Sequence, residues 1–71
     1  MKPINCPYCG AAAAIRSERE YRGMYAIRAV CTGCGRRGKK VLDTKQPPGA
    51  AAIYWATMNW NIGIYEQEGR A

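Results

Sequence analysis

The side chains in this sequence best suited to chemistry are its four cysteines, arranged as two Cys-x-x-Cys pairs. The first is Cys6-Pro7-Tyr8-Cys9-Gly10 and the second is Cys31-Thr32-Gly33-Cys34-Gly35, with residues 10–30 between them. A thiolate is a nucleophile and a soft metal ligand. Two intervening residues let both sulfurs of one tight turn point at a single ion, and a second such turn completes a tetrahedral set. The sequence has no histidine, so a bound ion would take its ligands from Cys6, Cys9, Cys31 and Cys34 alone. Zinc suits that set because its filled d shell imposes no competing geometry. Iron accepts the same four sulfurs, and two disulfides are the remaining use of the cysteines. Met1-Lys2-Pro3-Ile4-Asn5 holds no apolar run of the secretory kind, so a cytoplasmic location is expected, where thiols stay reduced and favour metal.

Other chemistry is poorly supplied. A catalytic zinc keeps an open coordination position, and four thiolates close the site. A redox Cys-x-x-Cys pair needs a longer framework of alternating strands and helices than this sequence offers. Glu18, Glu20 and Asp43 have no evident partners, so no enzymatic activity and no small-molecule substrate are expected.

Length sets the role of the metal. A chain of 71 residues forms one domain, and a core this small supplies only about 3–5 kcal/mol. A structural zinc contributes about 10–16 kcal/mol in apparent binding free energy at neutral pH. The ion is therefore expected to decide whether the chain folds.

The elements that must position the cysteines follow from pattern. Ala12 to Ser17 reads as a short strand and Glu18 to Gly23 as a polar turn region. Met24 to Val30 is the best strand, with Tyr25, Ile27 and Ala29 alternating against Ala26, Arg28 and Val30. Such a hairpin returns Cys31 to the side of Cys6 and Cys9. Val41-Leu42 suggests a short third strand, and Pro47-Pro48 interrupts regular structure in the linker 43–49. A helix is expected over residues 50–61. Its core stripe would be Ala52, Ile53, Ala56 and Trp60, and a second stripe holds Ala51, Trp55, Met58 and Ile62. The tail 64–71 is expected to extend as a strand or to fray. The fold class is thus small α+β: two cysteine turns, an antiparallel hairpin with a third strand, and one C-terminal helix, in the manner of a zinc ribbon.

Charge and apolar surface suggest partners. The formal net charge is +6; four thiolates remove four charges and a divalent ion returns two, leaving about +4. That excludes mimicry of DNA by an acidic surface. Arg36, Arg37, Lys39 and Lys40 form the most basic segment, and Arg28 and Arg16 would extend a phosphate-binding patch. Tyr8, Tyr21 and Tyr25 could stack on unpaired bases. Nothing from Gln46 to Tyr65 is charged, so the helix is more apolar than one hairpin can cover. Trp55, Met58 and Ile62 then mark an interaction face for a homodimer or another protein. The stretch is too short and too interrupted to span a membrane.

The two Cys-Pro-Tyr-Cys-Gly and Cys-Thr-Gly-Cys-Gly turns, Gly38, and the segment from Ala56 to Trp60-Asn61 resemble the Lar family of phage and prophage restriction-alleviation proteins. The resemblance covers most of residues 5–61. It implies a structural zinc and action in the bacterial cytoplasm. It also implies a role in favouring modification of incoming DNA, through DNA or a type I restriction–modification enzyme. The family brings no catalytic residues.

Overall fold

The computed structural model describes residues 2–66. Its elements are β1 (Ala13–Tyr21), β2 (Met24–Cys31), β3 (Val41–Asp43) and α1 (Ala50–Asn61). The three strands form one antiparallel sheet in the order β1-β2-β3, with α1 on one face. The α+β class, the hairpin, the third strand and the helix bounds match the reading of the sequence.

β1 is longer than the expected Ala12–Ser17, running to Tyr21 and leaving a tight turn with Gly23 at φ 75°. Glu18, Arg19 and Glu20 look like turn residues by composition, but the two glutamates find work in the strand. Glu18 lies opposite Ala26 and bonds Arg28; Glu20 pairs with Lys40. A register shift between Arg19 and Tyr21 marks a bulge near the turn.

Alternation sets the two faces. Ala13, Ile15 and Ser17 lie opposite Cys31, Ala29 and Ile27, and Val41 lies opposite Ile27. This face packs on the helix. Ile27, Ala52 and Ala56 form one buried cluster, with Ile15, Tyr25 and Val41 against it. A second cluster joins Cys6, Ala29, Cys31 and Trp60. The helix stripe departs from expectation at two positions. Ile53 is exposed, and Thr57 takes the buried place with its Oγ1 unpartnered among the described residues.

α1 starts without a side-chain cap at Gly49. Asp43 substitutes at one step removed. Its Oδ2 accepts from Gly49 N at 2.9 Å and its Oδ1 from Thr44 N at 2.7 Å. Those donors, Gly49 first, hold the Asp43 carboxyl below its ordinary range. Asp43, Glu18 and Glu20 thus all have partners that the sequence did not disclose.

The opposite sheet face carries charge. Arg28 is only 5% exposed. Its Nη1 bonds Glu18 Oε1 at 2.9 Å, and its Nε bonds Glu66 Oε2 at 3.0 Å. Glu66 also accepts from Arg37 Nη2 at 3.0 Å. Beyond β2, Arg37 and Gly38 run along the strand, with Gly38 N donating to Ala29 O, and Tyr65 bridges Gly38 on their outer side. The first residues of the tail are therefore extended; 67–71 lie outside the described residues. No helix among the described residues is long and apolar enough to cross a membrane.

Candidate metal centre

Each cysteine turn is closed by its own backbone. Cys6 N donates to Ala11 O and Gly10 N to Cys6 O, both at 2.8 Å; Cys31 N donates to Arg36 O at 2.8 Å. The glycine after each second cysteine is there for conformation. Gly10 and Gly35 have φ of 80° and 84°, where a side chain is strained, although an added Cβ would meet nothing within 4 Å. Space is short at Gly33 instead. A Cβ there would lie 2.7 Å from Ala11 Cβ and 3.3 Å from Cys9 Sγ, so glycine is what lets the two turns meet.

They meet through the hairpin. Thr32 N and Oγ1 both donate to Ala12 O, tying the second turn to the start of β1. The sulfurs of Cys6, Cys9, Cys31 and Cys34 come together, all within 4.8 Å of one another. Cys9 and Cys31 are 3.3 Å apart and Cys6 and Cys34 3.8 Å. Tetrahedral ligands at about 2.3 Å from an ion sit roughly 3.8 Å from each other, so the cluster has the span that one thiolate-bound ion requires. All four thiols are free, with no disulfide. Cys6 and Cys31 are buried, while Cys9 and Cys34 face solvent.

The backbone prepares the sulfurs for negative charge. Gly33 N and Cys34 N each lie 3.3 Å from Cys31 Sγ, and Tyr8 N lies 3.4 Å from Cys6 Sγ. The Cys34 N–H is the main reason the Cys31 thiol falls to about 6, against partial desolvation. Cys9 moves the other way. Its Ala11 N–H donor favours the thiolate, but the neighbouring sulfurs of Cys31, Cys34 and Cys6, with desolvation, drive it up to about 11. Four thiols this close cannot all ionise without a cation between them. The donor set fits a soft four-coordinate ion.

Trp60 and Asn61 fasten the helix to this centre. Trp60 is fully buried in the cluster with Cys6 and Cys31. Its Nε1 donates to Ile4 O at 2.8 Å. Asn61 Oδ1 accepts from Ile4 N at 2.9 Å, and its Nδ2 donates to Lys2 O at 3.1 Å. The last turn of α1 thus grips the segment leading into Cys6. Gly38 packs on the Trp60 ring, where an added Cβ would sit 3.4 Å from it. Helical periodicity marked Trp60 as core; the docking role of Asn61 has no local sequence signal.

The other candidate residues separate into different surroundings. Arg28 is corrected from a phosphate contact to an interior ion-pair residue, because Glu18 and Glu66 already hold it. Arg37 pairs with Glu66 and Lys40 with Glu20. The Arg36 guanidinium lies 3.7 Å over the Tyr8 ring, with Tyr65 at 5.4 Å. Lys39 has no acidic partner among the described residues and is exposed. Tyr21 is exposed, and Tyr25 packs partly on the core. On the outer side of α1, Trp55 is 54% exposed and Ile62 61%; Met58 is half-buried. No family model, curated protein or solved structure matches the chain.

Proposed function

We propose that this chain is a protein-recognition module whose shape is set by one structural zinc ion and whose working surface is the outer face of α1. The observation that carries the reading is the pairing of a closed four-sulfur cluster with an exposed apolar stripe centred on Trp55. Zinc is the ion of choice because the four thiolates demand only tetrahedral geometry and leave no open position for chemistry. Among the described residues nothing covers the stripe of Trp55, Met58 and Ile62, and exposed apolar residues grouped on one face, here Trp55 and Ile62, mark an interaction site.

A nucleic-acid role has less support. Of the six cations expected to contact phosphate, Arg28, Arg37 and Lys40 are engaged by carboxylates and Arg36 lies on Tyr8, which leaves Arg16 and Lys39. The resemblance to the Lar family directs the choice of partner. A type I restriction–modification enzyme in a phage-infected or lysogenic bacterium is the first protein to try, reached by protein contact rather than through DNA.

The test is a pair of binding titrations on the zinc-loaded chain. Trp55→Lys should abolish capture of the enzyme, and duplex DNA should bind weakly and without preference. Replacing Arg36, Arg37, Lys39 and Lys40 together with Ala should change the salt slope of DNA binding little. A slope that falls by about three or four on that replacement would put the working surface on phosphate instead.

A further inference from the structure

The exposed stripe of α1 has an internal order of its own. Ala51, Trp55, Met58 and Ile62 are spaced four, three and four residues apart. That is the interval of a two-helix seam, in which alternate four- and three-residue steps keep one line of side chains toward a partner helix. Ala51, Trp55 and Ile62 are exposed and Met58 is half-buried, so the line faces solvent, with Ala51 and Trp55 flanking a shallow pocket shared with Val41 and Leu42 of β3. Trp55 stands edge-on to Tyr54 at 5.1 Å, which stiffens it toward solvent.

We propose that a second copy of this chain occupies the seam, as an antiparallel two-fold helix pair. The proposal rests on the reading of the outer α1 face as the working surface and assigns that face to a second copy in the free protein, so that self-association and capture of a partner enzyme compete for Trp55.

Two observations select a second copy. The first is charge. Each chain carries +6 formally, so a self-association surface must keep cations from facing their own images. The stretch 46–65 contains α1 and has no charged residue, and the cation bordering its Ala51–Trp55 end, Lys45, lies near the Asp43 carboxylate. The second is volume. An antiparallel two-fold axis through the middle of the seam sets Ala51 opposite Ile62 and Trp55 opposite Met58. Each large side chain then meets a smaller or more adaptable one. A parallel pair would oppose Trp55 to Trp55 and Ala51 to Ala51, a clash beside a void. Antiparallel helices also oppose their dipoles favourably. A seam of three turns is small, below about 1,200 Å² in total, so the dimer belongs to the weak, micromolar class.

The experiment uses the full zinc-loaded chain. Sedimentation velocity from about 1 to 500 µM should show a monomer–dimer equilibrium, and native mass spectrometry should report one zinc per chain and two chains. Trp55→Lys and Met58→Glu should each weaken the dimer by about 30-fold or more, as expected of a central aromatic anchor. Both positions lie on the outer side, so circular dichroism and zinc content should not change. Mixing the two variants should restore a heterodimer. The lysine introduced in one chain then faces the glutamate introduced in the other, while the second Trp55–Met58 contact survives. Recovery in the mixture supports the antiparallel register; no recovery overturns it. A chain that stays monomeric across the whole range while binding one zinc overturns the second copy but leaves the metal-organised module intact. A dimer unaffected by Trp55→Lys also overturns the proposal, by placing self-association elsewhere.

Discussion

Trp60→Ala tests whether the metal and the core are one cooperative unit. Trp60 ligates nothing, yet its ring shares a buried cluster with Cys6 and Cys31, and its indole N–H holds the Ile4 carbonyl just before the first ligand. Truncating a buried tryptophan costs about 3–5 kcal/mol. If the chain folds only as it binds the ion, that loss must appear in the apparent metal affinity, since folding and binding are a single equilibrium. Each 1.4 kcal/mol is a factor of ten, so zinc should bind about two to four orders of magnitude more weakly. Trp60→Phe keeps most of the ring and removes the donor. It should cost about 1–2 kcal/mol, or roughly a tenfold loss. The assay is competition against a chromophoric chelator at neutral pH under reducing conditions, with circular dichroism on the same samples. A Trp60→Ala chain whose zinc affinity stays within a few-fold of the parent would refute the coupling.

Other consequences concern single contacts. Gly33→Ala should weaken zinc binding more than Gly10→Ala. The first drives a methyl group into Ala11 Cβ at 2.7 Å between the two turns, while the second costs only about 1 kcal/mol of backbone strain; paired chelator titrations decide the order. Arg28→Met should lower thermal stability by about 2 kcal/mol, because it strips Glu66 and Glu18 of a hydrogen-bonded charge, whereas Lys39→Met should have little effect; differential scanning calorimetry of both variants checks this. Acid should release the metal. The Cys31 thiol is drawn from 9.0 to about 6, so the stability it contributes is complete above 9.0 and is lost as pH falls through about 6, with bound metal carrying the loss lower still. Metal release followed with a zinc indicator should therefore increase steadily on acidification, and release that increased on raising the pH from 7 to 9 would contradict this sign.

What the sequence disclosed, and what it hid, has a physical pattern. The cysteine turns were legible because ligand spacing is local. The helix bounds were legible because Pro47-Pro48 blocks any earlier start and the apolar stripe repeats with helical period. The full length of β1 was not, because Glu18 and Glu20 belong in a strand only once Arg28 and Lys40 lie beside them. For the same reason Arg28 looked like a surface cation. Its burial depends on Glu66, 38 residues away in the chain. Tetrahedral spacing of the sulfurs was expected; the crowding that makes Gly33 obligatory was not, because it arises only where the two turns touch. Asn61 shows the same limit, since its partners Lys2 and Ile4 lie at the other end of the sequence.

The central claim is that one thiolate-bound ion organises this domain. The most direct measurement is an amide NMR spectrum of the reduced chain as a strong chelator is added and then outcompeted by excess zinc. Dispersed signals should collapse together as the ion leaves, those of α1 included, and return together when zinc is restored. A reduced, metal-free chain that kept its dispersed spectrum would show that the sheet and helix stand without the ion.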